Sequence, residues 1–152
     1  MRFDLLVNTM YAHARSTGVL TVNNPEIWRP LLAITDAVAA YAAAVEAPPT
    51  LSGVFNIASE NVRIADVAFR LQKYFKDRHR EEVQVIVKNI PDVRNYKVAY
   101  EKAQKELGFH PTGSVESVLS DIDQHIPAGI NLGDDMYYNI RTFQKLLIHE
   151  QV

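Results

Sequence analysis

Two short runs set the strongest limit on how this chain can fold. Residues 30–34 (Pro-Leu-Leu-Ala-Ile) and 54–58 (Val-Phe-Asn-Ile-Ala) are apolar almost throughout and lack an in–out alternation. Strands of that kind are buried on both faces, which predicts parallel pairing inside a sheet covered by helices. A sheet covered on both sides normally has more strands than this chain of 152 residues offers. The runs therefore read as pieces of a larger sheet, and the chain is expected to be incomplete.

Helical periodicity supplies the cover. Leu5, Leu6, Thr9, Met10 and His13 recur at three- and four-residue spacing, which predicts a helix over 3–15 with Gly18 just past its end. Val19–Val22 is a β-prone run closed by the turn Asn23-Asn24-Pro25, and Trp28 to Ile34 reads as one strand with Pro30 near its start. Asp36 is expected to cap the alanine-rich helix Ala37–Glu46, which Pro48-Pro49 stops before a strand over 53–58. A helix opens at Asn61 or Val62, with Ile64, Val67, Ala68, Leu71 and Phe75 on one face, and Val83–Val87 follows as a strand. Residues 99–107 form a helix ended by Gly108, and Ser114 caps another whose face is Val115, Val118, Leu119, Ile122 and Ile126. A Pro/Gly/Asp-rich linker over 127–137 leads to a C-terminal helix over 138–152. Helices and strands interleave in the order α-β-β-α-β-α-β-α-α-α, an α/β class.

Composition removes several functions. The formal net charge is −2, so no sequence-wide basic field advertises nucleic acid or an anionic membrane. Cysteine is absent, which excludes disulfides, thiolate metal sites and a thiol nucleophile, and fits a reducing compartment. The N-terminus lacks the pattern of a secretory signal, and the most apolar run, Leu31 to Val45, is broken by Thr35 and Asp36 and too short for a bilayer. A soluble cytoplasmic protein is expected. The histidines at 13, 79, 110, 125 and 149 have no metal-ligand spacing, so no metal is expected. Asp134-Asp135 and Glu81-Glu82 read as solvated loop carboxylates. The glycines at 18, 53, 108, 113, 129 and 133 never approach G-x-G-x-x-G, and no nucleophile elbow occurs.

Two arginines remain. Arg29 stands at the mouth of an otherwise apolar strand, where its fork suits either a rim ion pair or a bidentate clamp on phosphate. Arg94 follows a strand and a proline-marked turn, where binding loops gather; taken locally, a solvated loop arginine is the plainer reading.

These pieces form a pattern. Arg2-Phe3-Asp4-Leu5-Leu6-Val7-Asn8, Trp28-Arg29-Pro30 running to Ile34-Thr35-Asp36-Ala37, Gly53 to Ala58, Asp92 to Val98, and Lys102 through Leu107-Gly108-Phe109 occur in that order. The pattern resembles the C-terminal, substrate-binding half of the extended short-chain dehydrogenases/reductases, the NAD-dependent nucleotide-sugar epimerases and dehydratases. The resemblance covers residues 2 to about 126, so 1–126 would be an incomplete Rossmann-type, substrate-binding part with a few mainly parallel strands.

The resemblance implies roles. Asn8 would lie beside the diphosphate or sugar of an NDP-sugar, Arg29 and Arg94 would contact the nucleotide diphosphate, and Asn56 would lie on the strand next to the substrate pocket. Asp36 matches the family's aspartate after the R-P strand and is expected to be a helix cap, not a ligand. The family's acid/base tyrosine and its lysine are missing, because none of the seven tyrosines has a lysine four residues on. The catalytic Ser/Thr and the glycine-rich loop are missing too. No catalytic residue is therefore assigned, NAD is expected in the parent enzyme but not on this chain alone, and the chain alone is expected to be inactive. The expected partners are an NDP-sugar and either the missing N-terminal Rossmann half or a separate chain supplying it, with a homodimer left open. The alternative is a non-catalytic module that pairs with a separate Rossmann chain. Ala99 stands where the family often has a serine able to cap the next helix.

Overall fold

The computed structural model describes residues 2–91, 94–127 and 129–149. Gly18, at φ 66°, ends helix α1 (Leu6–Thr17) and returns its N–H to Ala14. The chain reverses into strand β1 (Val19–Asn23), whose Leu20 and Val22 are buried. β1 pairs in parallel with β4 (Gln84–Lys88) from Val19↔Gln84 to Asn23↔Lys88. Between them helix α3 (Ile64–His79) buries the stripe Ile64, Val67, Ala68, Leu71 and Phe75. Helix α5 (Val115–His125) packs beside α1 and α3, and its start carries the expected cap: Ser114 and Ser117 exchange hydrogen bonds in a capping box. Helix α4 (Glu101–Leu107) starts without a side-chain cap and ends at Gly108, φ 65°.

The core joins α1, β1, α3 and α5 through Tyr11, Leu20, Leu71, Phe75 and Leu119. One carboxylate pins three of these elements from within. Asp123 of α5 accepts hydrogen bonds from Tyr11 of α1 (2.5 Å) and Tyr74 of α3 (3.1 Å), and His79 Nε2 lies 3.2 Å away. Burial, then the adjoining carboxylate, push both tyrosine hydroxyls above their ordinary range. A second tie crosses to α5 from strand β3 (Glu60–Arg63): Arg70 bonds both Glu60 (3.0 Å) and Glu116, while Glu60 also accepts the Val115 N–H (2.8 Å).

Two strand expectations are corrected. Residues 28–34 are not one strand: β2 is Trp28–Leu31, and helix α2 (Ile34–Glu46) begins three residues later. β2 pairs antiparallel with β3, from Trp28↔Arg63 to Leu31↔Glu60. The sheets are thus two pairs, one parallel and one antiparallel. Pro30 is tolerated because a two-stranded pair leaves one edge of each strand without a ladder. The run 54–58 forms no strand. Among the described residues no backbone group of Phe55, Asn56 or Ile57 finds a hydrogen-bond partner. Val54 is 81% exposed, its carbonyl held by Lys102 Nζ at 3.1 Å, and only Ala58 of the run is buried. Apolar composition alone cannot make a ladder where no neighbouring strand stands alongside.

α2 has the same character. Its buried residues are Asp36 and Ala40, whereas Ile34, Val38, Tyr41 (77% exposed) and Val45 (85%) form an outward apolar stripe at 4-3-4 spacing. A short 3-10 turn (Asp135–Tyr137) and helix α6 (Asn139–His149) close the described chain. Phe3 N–H bonds the Tyr137 carbonyl (2.9 Å) and Asp4 accepts Asn139 N–H (3.0 Å), which ties this tail to the N-terminal residues. No helix among the described residues is long and apolar enough to cross a membrane, and none of their carboxylates and histidines gather as a metal site.

The third correction concerns Asp36. It makes no cap bond to its own helix. Only 2% exposed, it reaches sideways and accepts hydrogen bonds from Ser59 Oγ, Thr112 N (3.0 Å), Thr112 Oγ1 (3.2 Å) and Gly113 N (2.9 Å). Ser59 Oγ in turn accepts the Ala33 N–H (2.9 Å). Burial raises the pKa of this carboxyl, but the donors from Ser59, Thr112 and Gly113 outweigh it and hold the group below its ordinary value.

Two expected outcomes follow from this tie. At Gly113 a methyl group would overlap the Ala33 methyl and stand 2.8 Å from Asp36 Oδ2. Gly113→Ala is expected to cost about 1–3 kcal/mol, a Tm loss of roughly 2–4 °C per kcal/mol for a domain of this size; calorimetry showing an unchanged Tm would contradict the packing. Asp36 has a folded pKa below its unfolded value of 3.8. Its contribution is therefore complete above that value and disappears as pH falls through the lower, folded pKa. Asp36→Asn places an NH₂ against N–H donors, should cost about 1–3 kcal/mol near neutrality, and should flatten the acid limb of a stability–pH curve below pH 3.8. A curve as steep as that of the unaltered chain would refute the assignment.

Candidate functional site

The two candidate arginines are neighbours although 65 positions apart in sequence. Arg29, on β2, donates through Nη1 to the Trp28 carbonyl (2.9 Å) and to the Arg94 carbonyl. Its guanidinium also lies 5.6 Å from the Tyr96 ring centroid. The Trp28 N–H donates to Asn95 Oδ1 at 2.9 Å, and the Trp28 indole carries Lys97 Nζ at 3.6 Å and the Arg63 guanidinium at 5.3 Å. Three cations (Arg29, Arg63, Lys97) thus stand over two aromatic rings, with Glu26 paired to Arg63 at 3.0 Å. Arg94 and Tyr96 are exposed. Such a surface attracts an anion, and the planar forks of the arginines suit paired phosphate oxygens. Asp92 and Val93 of the same sequence motif lie outside the described residues.

Side-chain amides hold the arginine segment where a strand ladder is missing. Beyond β4, Asn24 forms a two-point bond with Ile90: Nδ2 donates to the Ile90 carbonyl (2.8 Å) and Oδ1 accepts the Ile90 N–H (2.9 Å). Asn61 of β3 does the same to Val98, at 3.0 and 2.8 Å. The sequence reading assigned Asn24 to a turn and Asn61 to a helix start, and it passed over Asn95. A usable signal existed in part: asparagine tolerates positive φ, and Asn24 sits at 51°. Nothing local identified the partners, which are 66 and 37 residues away.

Asn8 and Asn56 stand elsewhere. Asn8, on α1, bonds the Arg2 carbonyl (2.7 Å) and lines a cleft of about 350 Å³ with Leu5, Leu32, Thr35, Ser117 and Asp121. Asn56 lines a groove of about 480 Å³ with Leu32, Tyr41, Gly53, Phe55 and Leu107. The two cavities share Leu32 and Ala37, so they flank the first turns of α2. Neither is lined by Arg29 or Arg94. A cavity of about 640 Å³ lies between α1 and Ile126, Pro127 and residues 129–133, and none of the four candidates lines it.

Two strand-to-helix junctions differ from the glycine turn that cradles a dinucleotide pyrophosphate in a Rossmann unit. β2 passes to α2 through Leu32-Ala33 and β3 runs straight into Ile64, with no glycine turn that would bring backbone N–H groups against a pyrophosphate.

No protein-family model matches the sequence, and no curated protein sequence is similar to it. Solved structures share the fold. UDP-glucuronic acid 4-epimerase from Bacillus cereus, in complex with UDP-glucuronic acid and NAD, matches with a TM-score of 0.67 and 21% identity over 82% of this chain and 41% of its own. The dTDP-glucose 4,6-dehydratase from Bacillus anthracis, in complex with NAD, matches at 0.65 and 14% over 93% and 43%. L-threonine dehydrogenase from Phytophthora infestans matches at 0.67 and 18% over 82% and 42%. The chain therefore has the Rossmann-type α/β fold of NAD-dependent epimerases and dehydratases, and it spans about two fifths of the length of the solved enzymes it matches. Since a threonine dehydrogenase shares that fold, the fold by itself does not select a sugar nucleotide.

Proposed function

We propose that this chain is the substrate-binding portion of an NAD-dependent nucleotide-sugar epimerase/dehydratase, taking the diphosphate of an NDP-sugar between Arg29 and Arg94. The observation that carries the reading is the hydrogen bond from the Arg29 guanidinium, which lies over Tyr96, to the Arg94 carbonyl, which brings the two residues together. An amino acid substrate offers no diphosphate for such a pair, which favours the sugar-nucleotide enzymes over the threonine dehydrogenases. Asn8 and Asn56 line separate clefts that contain neither arginine, so the diphosphate reading rests on the two arginines alone. Asp36 is not a ligand in this scheme; it positions the 54–59 segment through Ser59.

The chemistry belongs to a second half. NAD, when bound there, supplies the hydride exchange, and the acid/base group comes with it. Two features support docking of a Rossmann half, covalently linked or as a separate chain. The run 55–57 has unsatisfied strand backbone among the described residues, and the α2 stripe from Ile34 to Val45 is apolar and exposed. The same features favour a second reading, a non-catalytic module that pairs with a separate Rossmann chain. The absence of cysteine suits a reducing compartment such as the cytoplasm.

Uridine diphosphate, titrated into the ¹⁵N-labelled chain, should bind weakly, on the order of millimolar. Arg29→Ala and Arg94→Ala should each weaken binding by about tenfold or more, as expected for a charged hydrogen bond. Affinity unaltered in either variant would dispose of the diphosphate site. The purified chain should also show no NAD-dependent turnover of an NDP-sugar; a measured epimerase or reductase rate from it alone would overturn the division of labour.

A further inference from the structure

The described residues around Arg94 belong to no helix or strand, yet Ile90, Arg94, Asn95 and Val98 are each tied to residues of the two sheets or the turn between them. Upstream, Ile90 is held at both backbone groups by Asn24. At the arginine itself, the carbonyl accepts from Arg29. One residue on, the Asn95 side chain accepts the Trp28 N–H. Downstream, Val98 is held at both backbone groups by Asn61. An asparagine amide presents one donor and one acceptor side by side, so it can replace a strand neighbour at a single residue.

Asn61 is placed for this by the β2–β3 register. It stands opposite Pro30, which has no N–H to give to a ladder, and its immediate neighbour Val62 stands opposite Arg29. The residue that fixes Val98 and the residue that touches Arg94 are therefore adjacent rungs of one two-stranded sheet. Four residues of chain join Val98 to Arg94, a reach of at most roughly 13–14 Å when extended. With Val98 released, the two-point tie downstream of Arg94 is lost, and the contacts at its carbonyl, at Asn95 and at Ile90 remain.

We infer that Asn61 is a positioning residue: its two-point bond to Val98 sets the segment that carries Arg94 before an anion arrives. The inference rests on the diphosphate reading above. Its physical content is preorganisation, because a segment ordered in advance does not lose that freedom on binding. Asn61 touches no ligand in this scheme and acts through Val98 alone.

A double-mutant cycle separates this from a general structural role. Uridine diphosphate affinity is measured by NMR titration for the unaltered chain, Asn61→Ala, Arg94→Ala and the double variant. The expected result is a weakening of about tenfold in Asn61→Ala, with the double variant binding no more weakly than Arg94→Ala. Hydrogen exchange at the Val98 amide should become faster in Asn61→Ala while the amides of α3 keep their protection. If Asn61→Ala does not fold, Asn61→Ser, too short to span both Val98 groups, replaces it in the cycle. Losses that add in the double variant, or an Asn61 variant that binds as tightly as the unaltered chain, overturn the inference and leave the diphosphate site standing. Full affinity in Arg94→Ala, or no binding by the unaltered chain into the millimolar range, removes the diphosphate site itself.

Discussion

Asp36 is the point on which the architecture turns. Its carboxylate joins three stretches that share no regular hydrogen bonding: the start of α2, the residue Ser59 that follows the apolar run 54–58, and the Thr112-Gly113 bend that leads into α5. Removing a charge from water is costly unless donors surround it, and here four donors do. The geometry leaves no space for more: a side chain at 113 would meet Ala33, Asp36 and Ser59 together. With that knot in place the run 54–58 is anchored at its C-terminal end, and β3 begins at the next residue in register with β2.

A contrast runs through the molecule. The side built from α1, α3 and α5 is finished, with a continuous apolar core and a half-buried carboxylate, Asp123, bonded by two tyrosines. The side built from α2 and 54–57 is open, with large apolar residues outward and strand backbone unpaired among the described residues. The open side is the more apolar in sequence, since α2 is richer in apolar residues than α1, α3 or α5. What differs, among the described residues, is the presence of a packed neighbour.

The sequence made the helices legible because their signals are local. The α3 stripe, the Ser114 cap and Gly18 and Gly108 at helix ends are each decided within a few residues by spacing, side-chain oxygen or the absence of a Cβ. The strands were harder. β3 hides in Glu60-Asn61-Val62-Arg63, a polar tetrapeptide that reads as the approach to a helix, while 54–58 looks like a strand and has nothing to pair with. In the candidate site, Arg29 and Arg94 could be singled out by residue chemistry, but Asn24, Asn61 and Asn95 could not, since an asparagine that clamps a distant backbone looks the same as one in a turn.

By itself, then, the sequence determined the α/β class, the helices closed by Gly18 and Gly108 and the two candidate arginines, all properties written in neighbouring residues. Only the tertiary structure decided that Asp36 is a knot and not a cap, that β2 takes β3 as an antiparallel partner, and that Arg29 meets Arg94 while Asn8 and Asn56 face separate clefts. The reason is physical. Periodicity and capping act over one or two turns of chain, whereas a hydrogen bond between residues 37 to 77 positions apart depends on how the intervening elements pack.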